Sequence, residues 1–219
     1  MKTYQDLQKD LPDHKALRIR RLREHAHVLA ANGTVIGELA SPGNRREWVP
    51  LADIPVFVQK TFIAAEDKNF FSHKGVDEFG ILRAFGKYLM SAGRPEGGST
   101  ITQQVAKNLL VGDDLSLERK FREILVAEKM EKEFTKSEIL EIYLNLIFMG
   151  RNTWGVGLAS RTYFGKPIGQ ISISEAAFLA GITKGPSHFD PATNPQGVRA
   201  RQDYVLTRMT EDGAITESQ

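Results

Sequence analysis

From Leu51 onward the sequence is cut into helix-length apolar segments by glycine, proline and small polar residues, a pattern that predicts a mainly α domain. Asp53-Ile54-Pro55 offers a cap and an early proline, and Val56, Phe57, Lys60, Ile63 and Ala64 follow at helical spacing. Phe79 to Met90 is dense in large apolar groups and ends in the punctuated stretch Ser91 to Gly98. Gly97-Gly98, with Ser99 as N-cap, opens a helix to Leu110. Ser116 opens the next, to about Phe134, with Leu117, Phe121 and Leu125 on its apolar stripe and Arg119, Arg122 and Glu123 on a different face. Further helices are expected over Ile139 to Leu146, Leu158 to Phe164, Ser174 through Ala180, and Val198 to Met209. One β-hairpin is expected earlier, where His27 to Ala30 and Thr34 to Leu39 flank Asn32-Gly33, because both turn positions need positive φ.

The bulk numbers exclude more than they select. With 219 residues, 41% of them hydrophobic and 26% charged, the chain can bury a real core. A net charge of +2 is too weak to argue for nucleic acid. Zero cysteines exclude disulfides and thiolate metal sites. No apolar run approaches the roughly 20 residues of a membrane span, and no signal peptide opens the chain. Residues 1 to about 25 carry a cluster of Arg18, Arg20, Arg21 and Arg23, read either as a solvated helix or as a stretch drawn to anionic headgroups.

Three polar clusters carry the chemistry. The first is Glu66-Asp67-Lys68-Asn69-Phe70-Phe71-Ser72-His73-Lys74-Gly75. Two carboxylates at a helix C-terminus oppose its dipole, so structure alone gives no reason for them. Surface decoration or a turn cap is the bland account. A general base taking a proton from a sugar hydroxyl is the functional one, with Glu66 in that role. Asp67 could orient Glu66, bind a metal or hold the loop. His73 has no second histidine at ligand spacing, so a hydrogen bond fixing the Glu66 loop is expected rather than a zinc site.

The second cluster runs Gly97-Gly98-Ser99-Thr100-Ile101-Thr102-Gln103-Gln104-Val105-Ala106-Lys107-Asn108. Its first turn should point free N–H groups at an anion. Ser99, Gln103 and Lys107 are four apart and share a face, with the Gln104 amide adjoining it, a set suited to sugar hydroxyls, N-acetyl groups and phosphate. A merely polar surface helix would have the same composition. The Gly-Lys-Ser/Thr ending of a P-loop is missing, so nucleotide binding is not expected. The third cluster is Arg119, Lys120, Arg122 and Glu123. An exposed Arg119–Glu123 pair would contribute only about 0.3–0.5 kcal/mol. Alternatively the cations neutralise a leaving pyrophosphate, with Glu123 steering the donor sugar or holding the cations or a divalent ion. Tyr143, Asn145 and Glu175, in two further helical segments, are expected to brace the site by buried hydrogen bonds.

The order and spacing of these clusters closely resemble the peptidoglycan glycosyltransferases, the family 51 domain of class A penicillin-binding proteins and monofunctional cell-wall polymerases, from about Arg46 to about Thr216. A basic residue often found in relatives at the position of Leu115 is missing here. The resemblance implies a lysozyme-like fold. Residues 1–45 would be a linker with the hairpin, 46–216 the glycosyltransferase domain with a smaller mobile membrane-facing lobe near 76–118, and 217–219 a truncated tail. It implies catalytic Glu66 and Glu123, and substrate binding by Asp67, Ser99, Gln103, Gln104, Lys107, Arg119, Lys120 and Arg122. The implied partners are lipid II, the growing lipid-linked glycan, and a membrane surface met by residues near 79–90, which otherwise form a core helix. No nucleic acid and no resident metal are implied, although Mg²⁺ or Mn²⁺ could help neutralise the pyrophosphate. Relatives work on the outer face of the cytoplasmic membrane, so the abrupt stop after Ala214 to Gln219 and the missing anchor read as a piece excised from a longer protein, one that could include a transpeptidase domain. Two rivals remain at this stage. One is a lysozyme-like muramidase, which needs a protonated glutamic acid in an apolar pocket. The other is a non-catalytic precursor-binding module.

Overall fold

The computed structural model describes residues 26–29, 35–39, 45–77, 98–109 and 117–218. Among them are four short strands, β1 (Ala26–Leu29), β2 (Val35–Leu39), β3 (Arg45–Arg46) and β4 (Thr153–Trp154). Seven α-helices follow the same numbering: α1 (Val56–Glu66), α2 (Ile101–Leu109), α3 (Leu117–Glu133), α4 (Lys136–Leu146), α5 (Val156–Phe164), α6 (Ile173–Ile182) and α7 (Pro195–Glu211). The chain is mostly helical, as the punctuation predicts. Strands β1 and β2 pair antiparallel with Ala26 opposite Leu39, while Asn32-Gly33 lies outside the described residues. The segment expected to meet a membrane, 79–90, and most of the 76–118 lobe also lie outside them. No described helix is long and apolar enough to cross a membrane.

The chain divides into two compact units, one containing Glu66–Tyr143 and the other combining Leu17–Ala65 with Leu144–Gln219. In the first, α2 packs along α3. The buried face of α3 runs through Glu123, Val126, Ala127 and Met130, whose spacing is that of one helical stripe, and Leu125 of the expected stripe is buried beside it. This corrects the expected phase. Phe121, placed on the apolar stripe by the sequence, is 60% exposed, and Glu123, placed on another face, is 5% exposed. Leu125 is buried as expected, so the phase is off at Phe121 and Glu123, where a carboxylate makes an interior position look polar.

The second unit is built on a parallel pairing of β3 with β4, Arg46 opposite Trp154, and on α6 packed along α7. Asn145 grips the residue at the head of the domain twice, accepting from Val49 N at 2.8 Å and donating to Val49 O at 2.9 Å. Ser172 caps α6 in a reciprocal box with Glu175, two residues before the expected start. Asn194 caps α7, which begins at Pro195 rather than Val198. These bonds of Asn145 and Glu175 lie within the second unit. In α1 the buried residues are Val58, Thr61, Phe62 and Ala64, whereas Val56 is 64% exposed. Asp53 belongs to a 3₁₀ turn, Leu51–Asp53, which Gln59 fastens by donating Nε2 to the carbonyls of Leu51 and Ile54.

Candidate active site

The three polar clusters belong to the first unit, and α2 is the element that joins them. Asp67 is buried just beyond the end of α1, and its Oδ2 accepts the backbone N–H of Ile101, the first residue of α2, at 2.9 Å. The Asp67 carboxylate also accepts from His73 Nε2, at 2.8 Å to Oδ2 and 3.0 Å to Oδ1. His73 Nδ1 accepts the N–H of Gly75 at 3.2 Å, which leaves the ring proton on Nε2. Gly75 O in turn accepts Thr100 Oγ1–H at 2.6 Å. Thr100 is bonded covalently to Ile101, so the path closes into a ring: Asp67, His73, Gly75, Thr100, Ile101, Asp67. Of the roles open to Asp67, the structure gives it the holding one, and His73 is the structural hydrogen bond expected.

Thr100, not Ser99, is the N-cap. Its Oγ1 accepts from Gln103 N at 3.1 Å, and Gln103 Oε1 accepts from Thr100 N at 2.9 Å. This is a reciprocal capping box, and it buries Gln103 to 1% exposure. Two expectations change with it. Ile101 N and Gln103 N, counted as free donors for an anion, are both taken. Gln103 lies inside the fold, so it does not share an open face with Lys107, which is exposed. The neighbouring Gln104 turns instead to the first cluster and donates Nε2 to Glu66 Oε2 at 2.8 Å.

Glycine is required at position 75. Its φ is +95°, and a Cβ there would stand 3.1 Å from the backbone C and O of Ala127 on α3. Behind it, Glu131 accepts from Thr102 Oγ1 at 2.5 Å and from Lys136 Nζ at 2.7 Å. Lys136 also stands 4.5 Å from the ring centre of the buried Phe70. The Tyr143 phenol is buried in the same unit and pushed well above its ordinary value, first by burial and then by the negative charges of Glu66 and Asp67.

In the third cluster Lys120 Nζ donates both to the buried Glu123 carboxylate and, at 3.0 Å, to Ser99 Oγ. Arg122 pairs with Glu118 at 2.9 Å, one turn back on α3. A lysine bridging Ser99 and Glu123 thus ties the start of α2 to α3, and Lys120 is the cation placed against that carboxylate. No group of three or more His, Asp or Glu side chains that could hold a metal ion occurs among the described residues.

The transglycosylase family model matches residues 32–210. The chain belongs to the transglycosylase family. As a transglycosylase domain it is of the glycosyltransferase kind. It is 44% identical over 212 residues to penicillin-binding protein 1A of Rickettsia conorii, covering 95% of this chain and 26% of that protein. To penicillin-binding protein 1A of Escherichia coli K12 it is 40% identical over 216 residues, covering 99% of this chain and 25% of that protein. The crystal structure of penicillin-binding protein 1A from Haemophilus influenzae resembles it with a TM-score of 0.50 at 25% identity, over 91% of this chain and 20% of the other. The transglycosylase domain therefore spans about a quarter of the length of the curated relatives it matches.

Thr100, Glu131 and Lys136 are parts of the site that sequence reasoning passed over. Thr100-Ile101-Thr102-Gln103 spells a capping box and could have been read as one. Glu131 meets Lys136 across the short turn from α3 to α4, whereas its bond from Thr102 is set by the packing of α2 on α3, which no local pattern announces.

Proposed function

We propose that the domain polymerises lipid II, the lipid-linked disaccharide-peptide precursor of the bacterial cell wall. The C4 hydroxyl oxygen of an incoming precursor forms a bond to C1 of the growing chain, the C1–O bond to the lipid pyrophosphate breaks, and inversion gives a β-1,4 link. Glu66 takes the hydroxyl proton in the transition state. Lys107, Arg119, Lys120 and Arg122 stabilise the departing pyrophosphate, and Glu123 holds Lys120 among them. Mg²⁺ or Mn²⁺, where present, would be carried by the pyrophosphate oxygens. The place of action is the outer face of the cytoplasmic membrane, with residues 79–90 against the bilayer and a transpeptidase domain elsewhere in the full-length protein.

The observation that carries this reading is Glu66 held by the Gln104 amide at 2.8 Å in a chain matched by the transglycosylase family over residues 32–210. A carboxylate whose position is fixed by an amide donor is placed to accept a proton. Incubation with labelled lipid II in detergent, with products sized on a gel, tests it. Wild type should give a ladder that moenomycin suppresses, and Glu66→Gln should give none while remaining folded. Wild-type-like polymer from Glu66→Gln would refute the base assignment, and fragments released from finished glycan would favour the muramidase instead.

A further inference from the structure

We propose that Gln104 is a positioning residue for Glu66, holding the carboxylate in the orientation that proton abstraction needs, rather than a contact to the sugar. The inference rests on the reading of Glu66 as the base. The sequence presents Gln103 and Gln104 as a matched pair of ligand amides, but the fold separates them. Gln103 closes the α2 cap and is buried, whereas Gln104 is half-buried and donates to Glu66 Oε2 at 2.8 Å. A glutamate at the last residue of a helix gives up rotamer freedom in taking a productive pose, and the Gln104 bond restricts that freedom beforehand. It does so from an anchored support, because the backbone of α2 is fixed at Ile101 by Asp67 and at Thr100 by Gly75.

The chemistry of the donor matters as much as its place. An ammonium in this position would form a stronger bond but would hold the carboxylate's charge too well for it to accept a proton. A carboxamide favours the ionised form and adds no charge. The acidic neighbour next in sequence is Asp67, already engaged by His73 and Ile101, and the Tyr143 phenol feels the negative charge of both carboxylates.

The test is the pH dependence of kcat and KM for lipid II polymerisation by wild type, Gln104→Leu and Gln104→Glu, with Glu66→Gln as the inactive reference and melting temperature recorded for each. Gln104→Leu should lose about ten- to a hundredfold in kcat with KM changed by less than about twofold. Its acid limb should move to higher pH. Gln104→Glu puts a second carboxylate within hydrogen-bond reach, so the pair shares a proton and the acid limb rises by at least about one pH unit, with activity recovering above it. A raised KM with an unmoved acid limb would make Gln104 a substrate contact and overturn the proposal. An equal loss at every pH with a lowered melting temperature would reduce it to a structural residue and overturn it too. Failure of folded wild type to form any polymer would overturn the functional reading itself, a result distinct from both.

Discussion

The Asp67 carboxylate accepts the backbone N–H of Ile101 at 2.9 Å, across 34 positions of sequence, and so closes the N-terminus of α2 with a full negative charge. Asp67→Asn keeps an acceptor but loses that charge and the charge-assisted bond from His73. It should lower stability by about 1–2 kcal/mol. Asp67→Ala should lower it by about 2–3 kcal/mol, because the His73 and Ile101 donors are left without an acceptor. Urea unfolding of the two variants checks the order.

Thr100 serves two bonds, to Gln103 N and to Gly75 O. Thr100→Ala should destabilise by about 1–2 kcal/mol, and Thr100→Ser should recover most of that, since the hydroxyl is what the cap uses. Equal losses in the two variants would assign the effect to packing of the methyl group instead.

Gly75→Ala should destabilise by about 1–3 kcal/mol, because alanine resists φ of +95° and its Cβ meets Ala127. The atoms met are backbone atoms. Adding Ala127→Gly should therefore not rescue the variant, and thermal melts of the single and double variants will show whether it does.

Tyr143 gives a prediction with a definite sign. Burial, and then the charges of Glu66 and Asp67, raise its folded-state value above the ordinary one. The folded protein thus keeps a proton that the unfolded chain releases above about pH 10. The stabilisation is complete below that pH and is lost as pH rises further. Wild type should lose stability more steeply than Tyr143→Phe in urea melts above pH 10, and its late tyrosinate absorbance should contain a component that the variant lacks.

Much of the site was legible because motif spacing survives ignorance of the fold. Glu66, Asp67, His73 and Gly75 form one cluster in space as they do in sequence, and Lys120 does stand beside Glu123. Phase was harder to read. A buried carboxylate and a buried amide are polar letters on interior faces, so Glu123 and Gln103 were assigned outward while the exposed Phe121 was assigned inward. The cap shifted by one residue, from Ser99 to Thr100, for a related reason: both hydroxyls are competent, and only the position of Asp67 and Gly75 selects between them. Long-range pairs such as Thr102 with Glu131 depend on how α2 and α3 meet, which no local pattern encodes.

The closed path from Asp67 to Ile101 has one more consequence. Gly75 and Thr100 are fastened to each other at 2.6 Å, so the Asp67–Gly75 cluster and the start of α2 share one mooring. A substitution that broke that mooring would therefore be felt in both clusters at once, on the Asp67 side and on the α2 side.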